Sequence, residues 1–275
     1  MVVIRMKTSM NQATMLSHDT RIFLDAISKA GFEGVELRIN KVLDFIKKES
    51  IEALIRIIKD KSLDLLSLNS VVLPLLESPS ESFFKDFENI CNVSHRLESP
   101  YIVTIPCTVP KNIRIDRKEV IENCIKVVKR LSEIAWRVGI NIIVEPLGFK
   151  ERALRRLEDG VEVVKRINRD NVYTMLDTFH IYVAGSSLEC LKDVKDKIAL
   201  VHISDTYITK NKDELTNDDR LLPGYGDLDL KSMINFVKSL GYNYYISIES
   251  FRKEYWNMDP YEFAKKAYES LKPFL

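Results

Sequence analysis

The stretch VYTMLDTFHIYVAG, residues 172–185, begins as an apolar strand and then ends in polar side chains instead of ordinary turn residues. Asp177 stands at the end of the apolar run, and His180 follows three positions later. Short apolar runs like this one alternate with longer amphipathic runs along the whole chain. Such alternation is typical of a parallel β/α fold.

The same strand-and-helix unit recurs often enough to predict a barrel. We predict strands at residues 2–6, 34–37, 63–69, 101–107, 140–147, 172–179, 199–205 and 244–251. The units are not separated by a linker rich in Pro, Gly or Ser, and the first strand lacks the G-x-G-x-x-G of an open dinucleotide-binding sheet. We therefore expect an α/β fold, a (β/α)₈ TIM barrel, that forms a single domain over residues 1–275.

The composition excludes several classes of partner. The chain of 275 residues carries a formal net charge of +1, so we expect neither nucleic acid nor an acidic membrane surface as a partner. Its four cysteines contain no C-x-x-C pair, and no apolar run approaches the roughly 20 residues of a membrane span. We expect a cytoplasmic protein without a signal peptide, and the sequence leaves a homo-oligomer open.

Four polar residues stand near the C-terminal ends of the last four predicted strands, one on each strand. Each of them alternates with β-branched neighbours, so all can point into the mouth of the barrel, where the strands end: Glu145, Asp177, His202 and Glu249. Three converging carboxylates repel one another unless a cation or protons intervene. With one imidazole they form an O₃N set suited to one divalent ion, Mn²⁺ first, with Zn²⁺, Co²⁺ and Mg²⁺ as alternatives.

Each of these residues also has an ordinary explanation when it is taken alone. A glutamate at a strand end commonly accepts loop hydrogen bonds, a lone histidine is commonly a satisfied core residue, and Asp177 could cap the following turn. Four such residues in phase on four successive strands favour a metal site over these separate roles.

Several motifs resemble a known group of enzymes. The segments VEPLG, LDTFHIYVAG, VHISDT, DRLLPGYGDLDL and SIESF are similar to the sugar-phosphate isomerase/epimerase family of xylose-isomerase-like TIM barrels, and within it to inosose isomerases. Upstream segments, including GFEGVELRINKV and LLSLNSVVLPL, extend the resemblance over nearly the whole chain. The resemblance implies an enzyme that acts on a small sugar or inosose.

The resemblance also implies roles for individual residues. It assigns the four strand-end residues as metal ligands, and Glu145 and Glu249 as an acid/base pair on opposite faces of the substrate. It implies substrate contacts from His180 and Arg220, and related ketose 3-epimerases place a further carboxylate where Glu151 stands here. For Glu151, a solvated charge at a helix entry is the alternative.

The expected chemistry is proton transfer through a cis-enediolate, which isomerisation and epimerisation share. An inosose-type dehydratase is an alternative, since the same intermediate can expel a β-hydroxyl group. An endonuclease IV-like abasic-site nuclease and a catalytically silent sugar- or metal-binding barrel are less favoured. With four histidines in all, the chain is short of ligands for a trinuclear zinc site. The long polar segment at residues 207–226, which carries Arg220, is predicted to act as a lid.

Overall fold

The strands of the barrel follow one another in chain order. The computed structural model describes residues 5–209 and 211–275, and within them eight strands close into a parallel barrel in the order β1 to β8. They are β1 Lys7–Asn11, β2 Gly34–Arg38, β3 Asp64–Leu73, β4 Tyr101–Pro106, β5 Asn141–Val144, β6 Val172–Asp177, β7 Ile198–Ile203 and β8 Tyr245–Ile248. The predicted (β/α)₈ TIM barrel is confirmed.

Helices lie between the strands. In the same described ranges they are α1 Thr20–Ala30, α2 Ile39–Lys48, α3 Ile51–Asp60, α4 Glu81–Arg96, α5 Arg117–Trp136, α6 Leu157–Ile167, α7 Thr178–Ala184, α8 Leu230–Ser239, α9 Lys253–Trp256 and α10 Pro260–Leu271. None of them is both long and apolar enough to cross a membrane.

The predicted strand ends shift by a few residues. The predicted strand at 172–179 is shorter in the structure, because β6 ends at Asp177 and α7 begins at Thr178. The predicted strand at 2–6 lies mostly outside the described residues, and the first described strand is Lys7–Asn11. That strand is polar in sequence, yet Thr8, Ser9 and Asn11 are fully buried, so its interior position depends on neighbouring strands.

Residue contacts divide the chain into two compact units. The first comprises Met1–Leu66, Asp177–Phe179 and Leu200–Leu275, and the second comprises Ser67–Leu176 and His180–Ala199. The single domain over residues 1–275 therefore stays a prediction.

The first unit combines strand pairing with packing between its terminal helices. Strand β1 pairs in parallel with β2 and β8, and β8 pairs with β7. Phe23 and Ile27 of α1 and Phe263 and Ala267 of α10 are fully buried. Gly31 ends α1 with a φ of 101°, a left-handed conformation that glycine adopts without a steric cost.

In the second unit, β3 to β6 pair in sequence, and threonine side chains add bonds between them. The hydroxyl of Thr104 donates to the Ile143 carbonyl at 2.8 Å, and that of Thr174 donates to the Val144 carbonyl at 3.2 Å. These bonds satisfy the buried hydroxyl groups of β4 and β6, and their acceptors are the last two carbonyls of β5, immediately before Glu145.

Candidate metal centre

The four predicted ligand residues come together at the ends of β5 to β8. Each offers one ligand atom, and these atoms all lie within 4.8 Å of one another in the group Glu145, Asp177, His202 and Glu249. His202 is fully buried, and each carboxylate residue is 4% exposed. A buried group of three carboxylates and one imidazole has the donor chemistry of a divalent-metal site.

Backbone pairing continues beyond two of the strands and positions their glutamates. The Glu145 amide donates to the Thr104 carbonyl at 2.9 Å, and the Glu249 amide donates to the Ile203 carbonyl at 3.4 Å. Both bonds extend the parallel ladder by one residue, so the glutamate side chains keep the alternation of their strands.

Each ring nitrogen of the His202 imidazole faces a carboxylate. Its Nε2 is 2.9 Å from Glu36 Oε1, and both side chains are fully buried. Its Nδ1 is 3.3 Å from Glu249 Oε2 and 3.9 Å from Asp177 Oδ2. The Nδ1 side of the ring therefore faces the other candidate ligands.

Arg220 is fully buried beside the same carboxylates. Its Nη1 donates to Asp177 Oδ2 at 2.9 Å and to Ser204 Oγ at 3.1 Å. The same nitrogen donates to the Glu249 carbonyl at 3.3 Å, and the guanidinium lies 4.6 Å from the centre of the Phe179 ring. The guanidinium thus lies beside Asp177 in this structure, and its predicted contact with the substrate stays a prediction.

The charges of the group favour a cation. Among the described residues, the buried acids near the centre are Glu36, Glu145, Asp177 and Glu249, and Arg220 is the buried guanidinium that contacts them. Burial alone would raise the pKa of Glu249, but His202 and then Arg220 lower it, and the net pKa lies below its usual value. A divalent cation would offset much of the negative charge that remains, so these residues fit such an ion.

His180 lies in α7, close to the loop that follows β5. Its Nδ1 accepts a hydrogen bond from the Gly148 amide at 3.2 Å, and its ring meets Phe149 edge to face at 5.1 Å. Because Nδ1 accepts, the proton of the neutral ring belongs on Nε2. A Cβ at Gly148 would come within 2.4 Å of the His180 carbonyl oxygen, so this close approach requires glycine.

Glu151 lies in the turn after Phe149, and its side chain is exposed. Its backbone carbonyl accepts a bond from the Val109 amide at 2.7 Å. Its predicted substrate contact stays a prediction.

Much of the predicted lid is anchored. Asp205 and Leu221 exchange backbone bonds of 2.9 and 2.8 Å, and the Asp205 carboxylate accepts from the Gly224 and Leu228 amides at 3.0 Å each. A Cβ at Gly226 would lie 2.5 Å from a backbone oxygen, so the segment packs too closely for a side chain there. The end of the loop that contains Arg220 is thus bonded to the barrel beside the site, and the predicted lid movement stays a prediction.

A family model described as the xylose isomerase-like TIM barrel matches residues 24–274. The chain belongs to the xylose isomerase-like TIM barrel family.

Relatives of this xylose isomerase-like barrel include an inosose isomerase from Halalkalibacterium halodurans. It is 29% identical over 269 residues, which cover 95% of this chain and 94% of the relative. A D-psicose 3-epimerase from Ruminiclostridium cellulolyticum is 24% identical over 139 residues, or 50% of this chain and 43% of that enzyme. The crystal structure of the IOLI protein with a binding zinc atom has a TM-score of 0.91 and 28% identity, with 98% of each chain covered.

Sequence reasoning missed one buried acid of this xylose isomerase-like barrel. Glu36 stands in β2 between Val35 and Leu37, with the same alternation that identified the glutamates of the late strands. This alternation within β2 is the sequence signal that could have identified Glu36 as an inward-facing acid.

Proposed function

We propose that this protein is a divalent-metal-dependent sugar isomerase or epimerase that acts on a ketose or inosose. The observation that carries the proposal is the buried group of Glu145, Asp177, His202 and Glu249. The full-length similarity to an inosose isomerase supports a small sugar or inosose as the substrate.

The four residues of this group would hold one metal ion per chain. We expect Mn²⁺, with Zn²⁺, Co²⁺ and Mg²⁺ as alternatives, and the related IOLI protein carries zinc. When bound, such an ion supplies Lewis acidity, which stabilises negative charge on the oxygen of a neighbouring carbonyl.

Glu145 and Glu249 would transfer the proton. One carboxylate removes the proton next to the carbonyl, which gives a cis-enediolate, and the other returns a proton to the adjacent carbon or the opposite face. The lowered pKa of Glu249 supports its presence as a carboxylate, the form that can accept a proton. Isomerisation and epimerisation differ only in where the proton returns.

His180, Arg220 and Glu151 would orient the substrate. The protonated Nε2 of His180 is a hydrogen-bond donor suited to a hydroxyl or carbonyl oxygen. Arg220 presents several donors in a rigid plane, and its contacts with Asp177 hold that plane in place. Glu151 is exposed and would contact the outer part of the sugar.

Deuterium exchange tests this function. We would incubate ketoses, ketose phosphates and inososes with the Mn²⁺-loaded protein in D₂O and follow them by NMR, with the chelated protein as control. We expect metal-dependent deuterium incorporation beside the carbonyl of one substrate, together with an isomer or epimer. Loss of water from the substrate would instead indicate the dehydratase, and cleavage of abasic-site DNA without exchange on any sugar would overturn the proposal.

A further inference from the structure

Glu36 is an acid in the interior of the barrel that the proton-transfer chemistry does not use. It is fully buried on β2, with buried Val35 and Leu37 as its neighbours. A buried carboxylate costs free energy unless charged or hydrogen-bonding groups compensate it. Its contact with His202 is therefore the feature that requires an explanation.

The contact crosses the interior of the first unit. Strand β2 pairs with β1, β1 pairs with β8, and β8 pairs with β7, so β2 and β7 are separated by two strands. Glu36 aligns with Asn11, whereas His202 aligns with Ser247. The 2.9 Å approach of Glu36 Oε1 to His202 Nε2 thus joins side chains that point inward from opposite strands.

The chemistry of the two groups decides which nitrogen carries the proton. An ionised carboxylate can only accept a hydrogen bond, so Nε2 of His202 must donate to Glu36. In the neutral ring this leaves the lone pair on Nδ1, which lies 3.3 Å from Glu249 Oε2 and 3.9 Å from Asp177 Oδ2. The lone pair therefore faces the side of the ring where the other ligand oxygens lie.

We propose that Glu36 is a positioning residue for the metal centre. It accepts the Nε2 proton of His202, fixes the tautomer in which Nδ1 is the ligand atom, and makes that nitrogen a stronger donor to a metal ion. Carboxylates that bind the far nitrogen of a histidine ligand act in this way, and their loss typically weakens metal affinity by about 10–100-fold. The inference rests on the metal site of the proposed function.

The first test uses the wild-type protein loaded with Zn²⁺, because without a cation the carboxylates beside Nδ1 of His202 would favour a second proton on the ring. We would label the histidines with ¹⁵N, record their ring signals, and assign His202 from its absence in the His202→Asn variant. In the Zn²⁺-loaded protein we expect the His202 ring to carry a proton on Nε2 and none on Nδ1. A proton on Nδ1 would overturn the inference, whatever the behaviour of any Glu36 variant.

The second test measures metal affinity. We would titrate Zn²⁺ and Mn²⁺ against a chromophoric chelator for the wild type, Glu36→Gln and Glu36→Asp. Glu36→Gln keeps the volume but not the charge, and we expect roughly 10–100-fold weaker binding, with partial recovery in Glu36→Asp. The matched control is Asp159→Asn, because Asp159 is also a buried acid but pairs with Arg117 on a different helix.

The outcomes distinguish the proposed role of Glu36 from the proposed metal site itself. Metal binding by the wild type with unchanged affinity in Glu36→Gln would overturn the role of Glu36 alone. Failure of the wild type to bind either metal would overturn the proposed metal site, and this inference with it. An equal loss of affinity in Asp159→Asn would show that the effect is general to buried acids, which also contradicts the proposal.

Discussion

Glu145 and Glu249 combine two roles in the proposed chemistry, as metal ligands and as the proton-transfer pair. A glutamine at either position keeps the volume and one ligand oxygen but cannot accept a proton. We expect Glu145→Gln and Glu249→Gln each to lower kcat by about 10²–10⁴-fold without unfolding the protein. Glu162→Gln, which changes a partly exposed acid of α6, is the control.

The measurement is turnover on the substrate found by deuterium exchange, alongside the metal content of each variant. A loss of turnover with retained metal supports the acid/base role. Near-wild-type turnover in either variant would remove that residue from the proton transfer.

Replacement of Arg220 tests whether catalysis needs the planar guanidinium group beside the metal ligands or only its positive charge. Its Nη1 contacts Asp177, Ser204 and the Glu249 carbonyl, and the Arg220 guanidinium lies over the Phe179 ring. Arg220→Lys keeps the charge but loses the planar fork. We expect metal to stay bound while kcat/KM falls by roughly 10–100-fold, the effect of one lost charged hydrogen bond.

The control for this substitution is Arg252→Lys, a change in a partly exposed arginine that bonds Glu254. Steady-state kinetics and elemental analysis of both variants provide the comparison. Unchanged kcat/KM in Arg220→Lys would exclude the proposed substrate contact but leave the metal site intact.

Among the helices, α1, α3 and α10 are joined by the ion pairs and a hydrogen bond of one acid, Asp25. Asp25 of α1 bonds Lys29 at 2.8 Å, Lys61 at the end of α3, and the Tyr261 hydroxyl of α10 at 2.9 Å. Lys29 first, then Lys61, and less strongly Tyr261 hold the pKa of Asp25 well below its usual value. A lowered pKa in the folded state contributes stability at pH values above the unfolded pKa, and this contribution is lost on acidification.

We therefore expect Asp25→Asn to lower Tm by about 2–4 °C at pH 7. The difference from the wild type should narrow as the pH falls below about 4, where the carboxyl of the unfolded chain becomes protonated. Thermal unfolding at pH 7, 5 and 3 checks this, with Asp60→Asn, a change in an exposed acid of α3, as the control. A difference that stays constant over this range would contradict the assigned pH dependence.

Across the whole chain, the residue alternation along the strands predicted more of the fold and of the candidate site than the loop sequences did. The barrel and the convergence of Asp177, His202 and Glu249 follow from alternation along each strand, which is a local property. The burial of Arg220 does not follow from such local alternation, because its partners come from the ends of β6, β7 and β8. The polar strand Lys7–Asn11 was missed for a similar reason, since its interior position depends on β2 and β8.

The central claim is that one metal ion is bound by Glu145, Asp177, His202 and Glu249, and metal stoichiometry tests it most directly. The protein would be chelated under mild conditions, reconstituted with Mn²⁺ or Zn²⁺, desalted and analysed for bound metal, for the wild type and the Asp177→Ala/His202→Ala double variant. We predict one ion per wild-type chain and none in the double variant, with circular dichroism showing that both are folded. Three ions per chain, or undiminished binding in the double variant, would contradict the account.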